Sequence, residues 1–328
     1  MTPSESARPT VTVDMRPPDF FIVGQPKSGT TALYEILRGH PQIYMAEPKE
    51  PVFLASDLHE GLWAALHTRV RTLEEYLALF AGAHSGQRTG EASTVYLWSS
   101  EAARNIAELA PEARIVAVLR EPASFLRSLH LQLLRTHIET EKDFVKAISY
   151  EQDRRAGGRT PRACPWPQAL FYSDRVRYAE QLRRYYDLFP RENVLVLIYD
   201  DFRADNEAAV RRVLGFLGVD ESVPIQASEA NQTVRLRSRR LDDVVRATYL
   251  GRGPVSRGAK AAVKAATSRR LRHTLLRQTR RRVLYADPHP PEEEFMLELR
   301  RRYRGEVVAL DDLLGCDLVR RWGYDRID

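Results

Sequence analysis

Residues 20–41 of the chain read FFIVGQPKSGTTALYEILRGHP. Gly24 and Gly29 have the G-x-x-x-x-G spacing of a nucleotide-binding loop, which in a nucleoside triphosphatase continues with Lys and then Ser or Thr. Here two threonines follow, and the lysine of the stretch, Lys27, precedes the second glycine. A loop between a strand and a helix offers backbone N–H groups and the positive end of the helix dipole. The stretch therefore predicts an anion-binding loop that departs from the triphosphatase rule.

The same order of strand, loop and helix recurs along the first two thirds of the chain. Continuous apolar runs that alternate with helical spacing indicate a parallel sheet covered on both faces. We therefore predict an α/β fold of three layers, similar to the P-loop fold, with a central parallel sheet flanked by helices. Its ligand is expected beyond the carboxyl ends of the strands. Strands are predicted at 19–23, 114–119 and 194–199, a strand leading into a loop at 86–96, helices at 30–38, 72–80, 99–109, 122–136, 173–189, 204–217 and about 292–303, and a surface loop or lid at 156–167.

Length and composition limit the class of protein. The 328 residues are 43% hydrophobic, which is enough for one large domain. Residues 1–18 lack the apolar centre of a signal peptide, so we expect a flexible tail there and a single domain over residues 19–328. No segment approaches the roughly 18 uncharged apolar residues of a membrane span. Cys164 and Cys316 are too few for a disulfide framework, and a cytoplasmic location is expected.

Positive charge is concentrated in one segment. Residues 235–282 contain 16 Arg or Lys and 2 Asp, a net charge of +14, whereas the whole chain carries +6. This helix-favouring segment suits an anionic membrane surface, nucleic acid, an acidic acceptor, or simply a solvated pair of helices. No zinc-finger or other nucleic-acid-binding pattern accompanies it, so no specific nucleic-acid partner is predicted. Peripheral contact with an anionic membrane is the partner that we retain.

Arg120 directly follows the strand at 114–119. A nucleoside triphosphatase has a carboxylate at this position, which completes its magnesium site. Phosphoryl transfer normally needs a metal ion to neutralise charge. A sulfuryl group carries a single negative charge, which lysine, hydroxyls and amides can bind. The sequence therefore favours metal-independent sulfuryl transfer over phosphoryl transfer.

Three segments, 20–31, 47–54 and 115–129, resemble the signature segments of PAPS-dependent sulfotransferases, whose donor is 3'-phosphoadenosine 5'-phosphosulfate. The resemblance covers the general pattern of about 20–218. The first segment, FIVGQPKSGTTAL, resembles the 5'-phosphosulfate loop. The resemblance implies that five residues surround the phosphosulfate, namely Lys27, Ser28, Gly29, Thr30 and Thr31.

The resemblance also implies a site for the donor's 3'-phosphate. In VLREPASFLRS an arginine at a strand end and a serine eight positions later match the family's segment, as Arg120 and Ser128. Residues 235–240 lie where related enzymes bring a loop over this phosphate, so Arg237 is a further candidate, with Arg239 as the alternative.

Transfer to an alcohol needs a base for the hydroxyl proton. Lys27 is protonated at neutral pH and suits stabilisation of the bridging oxygen. AEPKEPVFL resembles the K-E-P-x-F-F pattern of glycosaminoglycan-type and many bacterial sulfotransferases, which implies Glu50 as the catalytic base. Burial against Pro51, Val52 and Phe53 would then make its carboxylate more basic. The alternatives are Glu47 or a histidine as base, or Glu50 as a loop carboxylate that only pairs with Lys49; the histidines considered are His130 and His137.

Residues 90–97, GEASTVYL, depart from a G-E-K-S-P-x-Y pattern of relatives, because Ala92 replaces the lysine. Glu91, Ser93 and Tyr96 still match and are candidates for the wall of the site.

Aromatic residues within 53–98 and Trp166 favour a small-molecule acceptor, such as a natural product or a lipid-like alcohol, over a highly charged polysaccharide. Two other classes stay open. A P-loop kinase or NTPase would turn over ATP with magnesium, and a non-catalytic protein would bind nucleotide or polyanion through its basic segment.

Overall fold

The computed structural model describes residues 16–66, 70–162, 164–225, 235–236, 285–286 and 292–327. Arg237, nearly all of the basic segment at 235–282 and residues 1–15 of the predicted tail lie outside these ranges. The described residues form two compact units. The first comprises the residues up to Arg120 and those from Arg177 to 225, and the second the residues from Glu121 to Val176 and those after 231. The single domain over 19–328 stays a prediction.

The described helices and strands follow the alternation read from the sequence. The strands are β1 Phe20–Gly24, β2 Ile43–Met45, β3 Arg88–Ala92, β4 Arg114–Leu119, β5 Val194–Ile198, β6 Arg235–Leu236 and β7 Tyr285–Ala286. The helices are α1 Thr30–Arg38, α2 His59–Leu66, α3 Leu73–Leu77, α4 Ala102–Leu109, α5 Pro122–Arg135, α6 Phe144–Ser149, α7 Glu151–Arg155, α8 Tyr178–Tyr186, α9 Tyr199–Ala204, α10 Asn206–Leu217, α11 Glu293–Leu314 and α12 Leu318–Arg321.

The first unit is built on a five-stranded sheet in the order β2-β3-β1-β4-β5, and every neighbouring pair is parallel. In β1, Phe20 is level with Gly90 of β3 and with Arg114 of β4. The carboxyl ends of these central strands therefore share one edge of the sheet, where Gly24, Ala92 and Leu119 end their strands. The predicted parallel sheet is confirmed.

Both faces of this sheet are buried, which explains why its strands are apolar throughout. On one face Ile22 and Val116 pack with Leu33 of α1 and Leu214 of α10 in a single apolar cluster. The alternate residues, including Phe21 and Ile115, are equally inaccessible to solvent. Burial of one such side chain stabilises the fold by about 1.5–3 kcal/mol.

The second unit is mainly helical. In α5 the first residue is Pro122, and the Glu121 side chain accepts from the backbone N–H groups of Ala123 and Ser124, so the start of the helix is capped. The last long helix, α11, buries residues spaced three to four apart, namely Phe295, Leu299, Tyr303, Val307 and Leu310. Strands β6 and β7 pair antiparallel.

Several element boundaries differ from the prediction. The predicted helix at 173–189 is a 3₁₀ turn, Ser173–Val176, followed by α8. Helix α11 continues to Leu314, well past the predicted end near 303. The short edge strand β2 and helices α2, α6 and α7 were not predicted, because three to eight residues carry too little periodicity.

Candidate active site

The loop between β1 and α1, residues 25–29, is tightly closed against the neighbouring strand. The Gln25 N–H donates to the Val118 carbonyl at 2.7 Å. Gly29 has a φ of 85°, and a Cβ on it would lie 2.9 Å from the Phe202 ring, so glycine is required there. Lys27 also has a positive φ, 63°, which is uncommon for a residue with a side chain. The loop is therefore held in a single, partly strained conformation.

The start of α1 has no side-chain cap and no acidic residue in its first turn. Just before the helix, Ser28 is fully buried, yet its hydroxyl has no hydrogen-bond partner among the described residues. A buried hydroxyl without a partner is costly unless a ligand satisfies it. Because helix N-termini bind anions, this arrangement fits a bound anion.

Arg120 lies directly beside this loop. Its guanidinium donates to the Lys27 carbonyl at 3.0 Å and stands 4.9 Å from the centre of the Tyr199 ring. The Arg120 carbonyl accepts from the Tyr178 hydroxyl at 3.0 Å. Within the described part of the first unit, its guanidinium has no carboxylate partner. The structure thus places a cation where a triphosphatase would have its metal-binding carboxylate.

The remaining donor-site candidates lie at the start of α1, on α5 and outside the described residues. Thr30 and Thr31 begin α1, and Thr30 is buried. Ser128 is buried on α5, in the second unit. Arg237 lies outside the described residues.

The segment at residues 50–54 is fastened to the end of β3 by three hydrogen bonds. The N–H groups of Glu50, Val52 and Leu54 donate to the Ala92 carbonyl, the Ser93 hydroxyl and the Tyr96 hydroxyl, at 3.0, 3.0 and 3.1 Å. Glu50 and Val52 have φ values of 64° and 54°, and a β-branched residue rarely adopts this conformation. The ladder of hydrogen bonds holds this strained segment in place.

The Glu50 carboxylate is held by polar donors. Lys49 Nζ lies 2.5 Å from Oε1, and the Thr94 N–H donates to Oε2 at 2.9 Å. The Thr94 hydroxyl reaches Oε1 at 3.1 Å and Oε2 at 3.3 Å. The side chain of Glu50 is 26% exposed. The apolar surround expected from residues 51–53 stays a prediction, and the alternative pairing of Glu50 with Lys49 is present.

The other candidate bases have different surroundings. The Glu47 side chain is 74% exposed and lies 3.8 Å from Arg38. His130 is buried on α5, where its ring nitrogens contact the Tyr172 hydroxyl and the Lys142 carbonyl, and burial lowers its pKa. The second unit therefore uses His130 in its internal packing.

Glu91 is the most perturbed carboxyl group of the first unit. It lies in β3 and is fully buried. Burial raises its pKa to about 8, and the negative charge of Glu50 adds to this shift. The hydroxyls of Tyr96, Ser93 and Tyr76 surround its carboxyl group and moderate the effect. Glu91 is therefore protonated at neutral pH.

Three half-buried aromatic rings, Phe53, His59 and Trp63, lie in and after the 50–54 segment. Phe53 stacks on the fully buried Tyr76 with ring centres 5.0 Å apart, and His59 stacks on Trp63 at 4.2 Å. The Arg71 guanidinium lies over Trp63, 3.8 Å from its ring centre. By contrast, Tyr96, predicted as a wall residue, is fully buried. This surface suits an apolar or ring-shaped ligand.

None of the helices in the described ranges combines the length and the apolar character that crossing a bilayer requires. Among the same residues, no group of three or more His, Cys, Asp or Glu side chains could hold a metal ion.

The fold and the loop agree with a known family. The model of the Sulfotransferase family matches residues 18–222, which is more than half of the chain. The chain belongs to the Sulfotransferase family, and the resemblance inferred from its three segments is confirmed.

The individual relatives extend this assignment. The chain is 26% identical over 275 residues to carbohydrate sulfotransferase 15 of Mus musculus, covering 69% of this chain and 48% of that protein. It is 30% identical over 209 residues to the bifunctional heparan sulfate N-deacetylase/N-sulfotransferase 3 of Homo sapiens, covering 62% of this chain and 22% of that protein. The chain thus spans about half of the first relative and about a fifth of the second.

A solved structure supports the same fold. The sulfotransferase from Alicyclobacillus acidocaldarius is 28% identical and superposes with a TM-score of 0.58, over 72% of this chain and 92% of that chain. The predicted three-layer α/β fold, similar to the P-loop fold, is therefore confirmed.

Proposed function

We propose that the chain transfers a sulfuryl group from PAPS to a hydroxyl of a small-molecule acceptor. The products are a sulfate ester and adenosine 3',5'-bisphosphate, and no metal ion is required. The observation that carries this proposal is the buried Ser28 hydroxyl, which has no described partner at the uncapped start of α1, beside Arg120. Membership of the Sulfotransferase family supports the same chemistry.

The residues of the β1–α1 loop fit the donor. Bound PAPS supplies the sulfuryl group and a nucleoside bisphosphate that leaves. Amides and hydroxyls of residues 28–31 would bind the phosphosulfate, as helix N-termini bind anions. Lys27 would neutralise the charge that develops on the bridging oxygen. Arg120 would bind the 3'-phosphate, and the same role for Ser128 and Arg237 stays a prediction from the family resemblance.

Glu50 would act as the general base. The Glu50 carboxylate would accept the proton of the acceptor hydroxyl, and bound PAPS would supply the sulfuryl group to the acceptor oxygen, with adenosine 3',5'-bisphosphate as the leaving group. Lys27 would neutralise the negative charge left on the bisphosphate. The hydrogen bonds from Lys49 and Thr94 fix the direction of the Glu50 carboxylate.

The aromatic surface formed by Phe53, His59 and Trp63 supports the proposed acceptor class. These rings suit a hydrophobic or aromatic alcohol, such as a natural product or lipid-like molecule. A carbohydrate acceptor is the second candidate, because relatives of this chain are named carbohydrate and heparan sulfate glucosamine sulfotransferases. Aromatic rings also stack on sugar rings, so both classes belong in the test.

The decisive experiment supplies ³⁵S-labelled PAPS with a panel of aromatic alcohols, lipid-like alcohols and oligosaccharides, with EDTA present. We expect label in the acceptor and an equal amount of adenosine 3',5'-bisphosphate. Turnover of ATP that requires magnesium would instead indicate a kinase or NTPase. Binding of PAPS without label transfer to any acceptor would indicate a non-catalytic protein.

Two predictions concern the setting of the enzyme. The cytoplasmic location and the contact of the 235–282 segment with anionic membranes remain proposals. Sedimentation with vesicles that contain phosphatidylserine tests the second, since binding should weaken as salt is added.

A further inference from the structure

Thr94 contacts the Glu50 carboxylate through both of its hydrogen-bond donors. Its backbone N–H is 2.9 Å from Oε2, and its hydroxyl is 3.1 Å from Oε1 and 3.3 Å from Oε2. Lys49 contacts only Oε1. Thr94 is therefore the one described residue that engages both oxygens of the proposed base.

The position of Thr94 is itself fixed. It is buried and directly follows Ser93, whose hydroxyl accepts from the Val52 N–H. The Glu50 N–H is tied to the Ala92 carbonyl, so backbone and carboxylate of Glu50 are held by the same short stretch. Threonine is stiff about χ1, whereas the long Lys49 side chain has several rotatable bonds. Of the two partners, Thr94 is the one able to define a direction for the carboxylate.

We propose that Thr94 is a positioning residue that aims the Glu50 carboxylate at the acceptor hydroxyl. This inference rests on the proposed function. The pattern of relatives compared above has proline at this position, and proline offers neither an N–H nor a hydroxyl. Thr94 thus gives this chain two hydrogen-bond donors to the proposed base that the relatives' pattern lacks.

The test compares Thr94→Val with Thr94→Ser. Valine matches the shape but lacks the hydroxyl, whereas serine keeps it. With saturating ³⁵S-PAPS, we expect Thr94→Val to lower kcat about tenfold, with unchanged affinity for adenosine 3',5'-bisphosphate. Thr94→Ser should retain most of kcat, because it keeps the hydroxyl.

The outcomes separate this inference from the proposed function. Wild-type kcat in Thr94→Val, with an active wild type, would overturn the role of Thr94 and leave the enzyme assignment intact. Equal losses in the Ser and Val variants would also overturn it, since the hydroxyl would then not matter. If the wild type transfers no label to any acceptor, both proposals fall. Calorimetric binding stoichiometry for the bisphosphate identifies any loss due to unfolded protein.

Discussion

The β1–α1 loop and the segment at residues 50–54 lie in the same unit but are stabilised differently. In the loop, the buried Ser28 hydroxyl has no described partner, and no side chain caps the start of α1. In the 50–54 segment, the N–H groups of Glu50, Val52 and Leu54 and the Glu50 carboxylate all have partners. The stability of the loop should therefore depend on a bound anion, whereas the 50–54 segment should keep its conformation without a ligand.

The largest expected effect tests the base in the bonded segment. Glu50→Ala should lower sulfation by about 10²–10⁴-fold, since it removes general base catalysis. Affinity for adenosine 3',5'-bisphosphate should stay close to that of the wild type. Radiolabel transfer and calorimetry measure the two quantities. Glu47→Ala is the matched control, because Glu47 is a neighbouring but exposed carboxylate; a larger loss in that variant would assign the base to Glu47.

The next effect tests the shape of the loop. Gly29→Ala puts a Cβ 2.9 Å from the Phe202 ring at a φ of 85°. We expect affinity for adenosine 3',5'-bisphosphate to fall by at least about tenfold, with destabilisation of about 1–3 kcal/mol. Gly86→Ala is the control, since Gly86 has a φ of 86° but no atom within 4 Å of its Cβ position. Equal effects of the two substitutions on bisphosphate binding would contradict the steric explanation.

A third prediction concerns how the free energy of unfolding depends on pH. Glu91 has its pKa raised to about 8 in the folded state, so it binds a proton there that the unfolded chain releases above about pH 5. Its contribution to stability is full at acidic pH and is lost as pH rises towards 8. Relative to Glu91→Gln, the wild type should lose stability over this range by an amount on the order of a few kcal/mol.

Urea unfolding at pH 5, 6.5 and 8 measures this difference. The exposed Glu108, changed to Gln, is the control and should give a difference that is nearly independent of pH. A wild type that gains stability relative to Glu91→Gln between pH 5 and 8 would show that Glu91 is ionised in the folded protein.

The smallest effect separates stability from binding in the loop. Ser28→Ala removes a buried hydroxyl that has no described partner, so the free energy of unfolding without ligand should stay within about 1 kcal/mol of the wild type. Affinity for PAPS should still fall about five- to tenfold, because a donor to the anion is lost. Thermal unfolding with and without PAPS measures both. A stability loss without weaker binding would make Ser28 structural.

The loop could be predicted from sequence because its determinants are local. Gly24, Gly29 and Lys27 fall within six positions, and the apolar run before them marks the strand. The position of Arg120 was also predictable, since Arg120 directly follows β4, the strand that neighbours β1. Parallel neighbours bring such ends to one edge of the sheet.

The surroundings of Glu50 could not be predicted in the same way. They depend on Thr94, which is 44 positions away and belongs to a stretch that departs from the family pattern. Burial of Glu91 likewise depends on Tyr76 and Tyr96, whose approach is set by tertiary packing. A sequence pattern shows only which residues are near in sequence, whereas the environment of a carboxyl group is set by residues that are near in space.

The close approach of the Phe202 ring to Gly29 limits which residues can replace this glycine. A smaller residue at position 202 would open room for a side chain at position 29, but it would leave the left-handed backbone unchanged. Compensating exchanges at this pair can therefore relieve crowding only, and a residue tolerant of positive φ, such as asparagine, is the sole replacement with a reasonable prospect there.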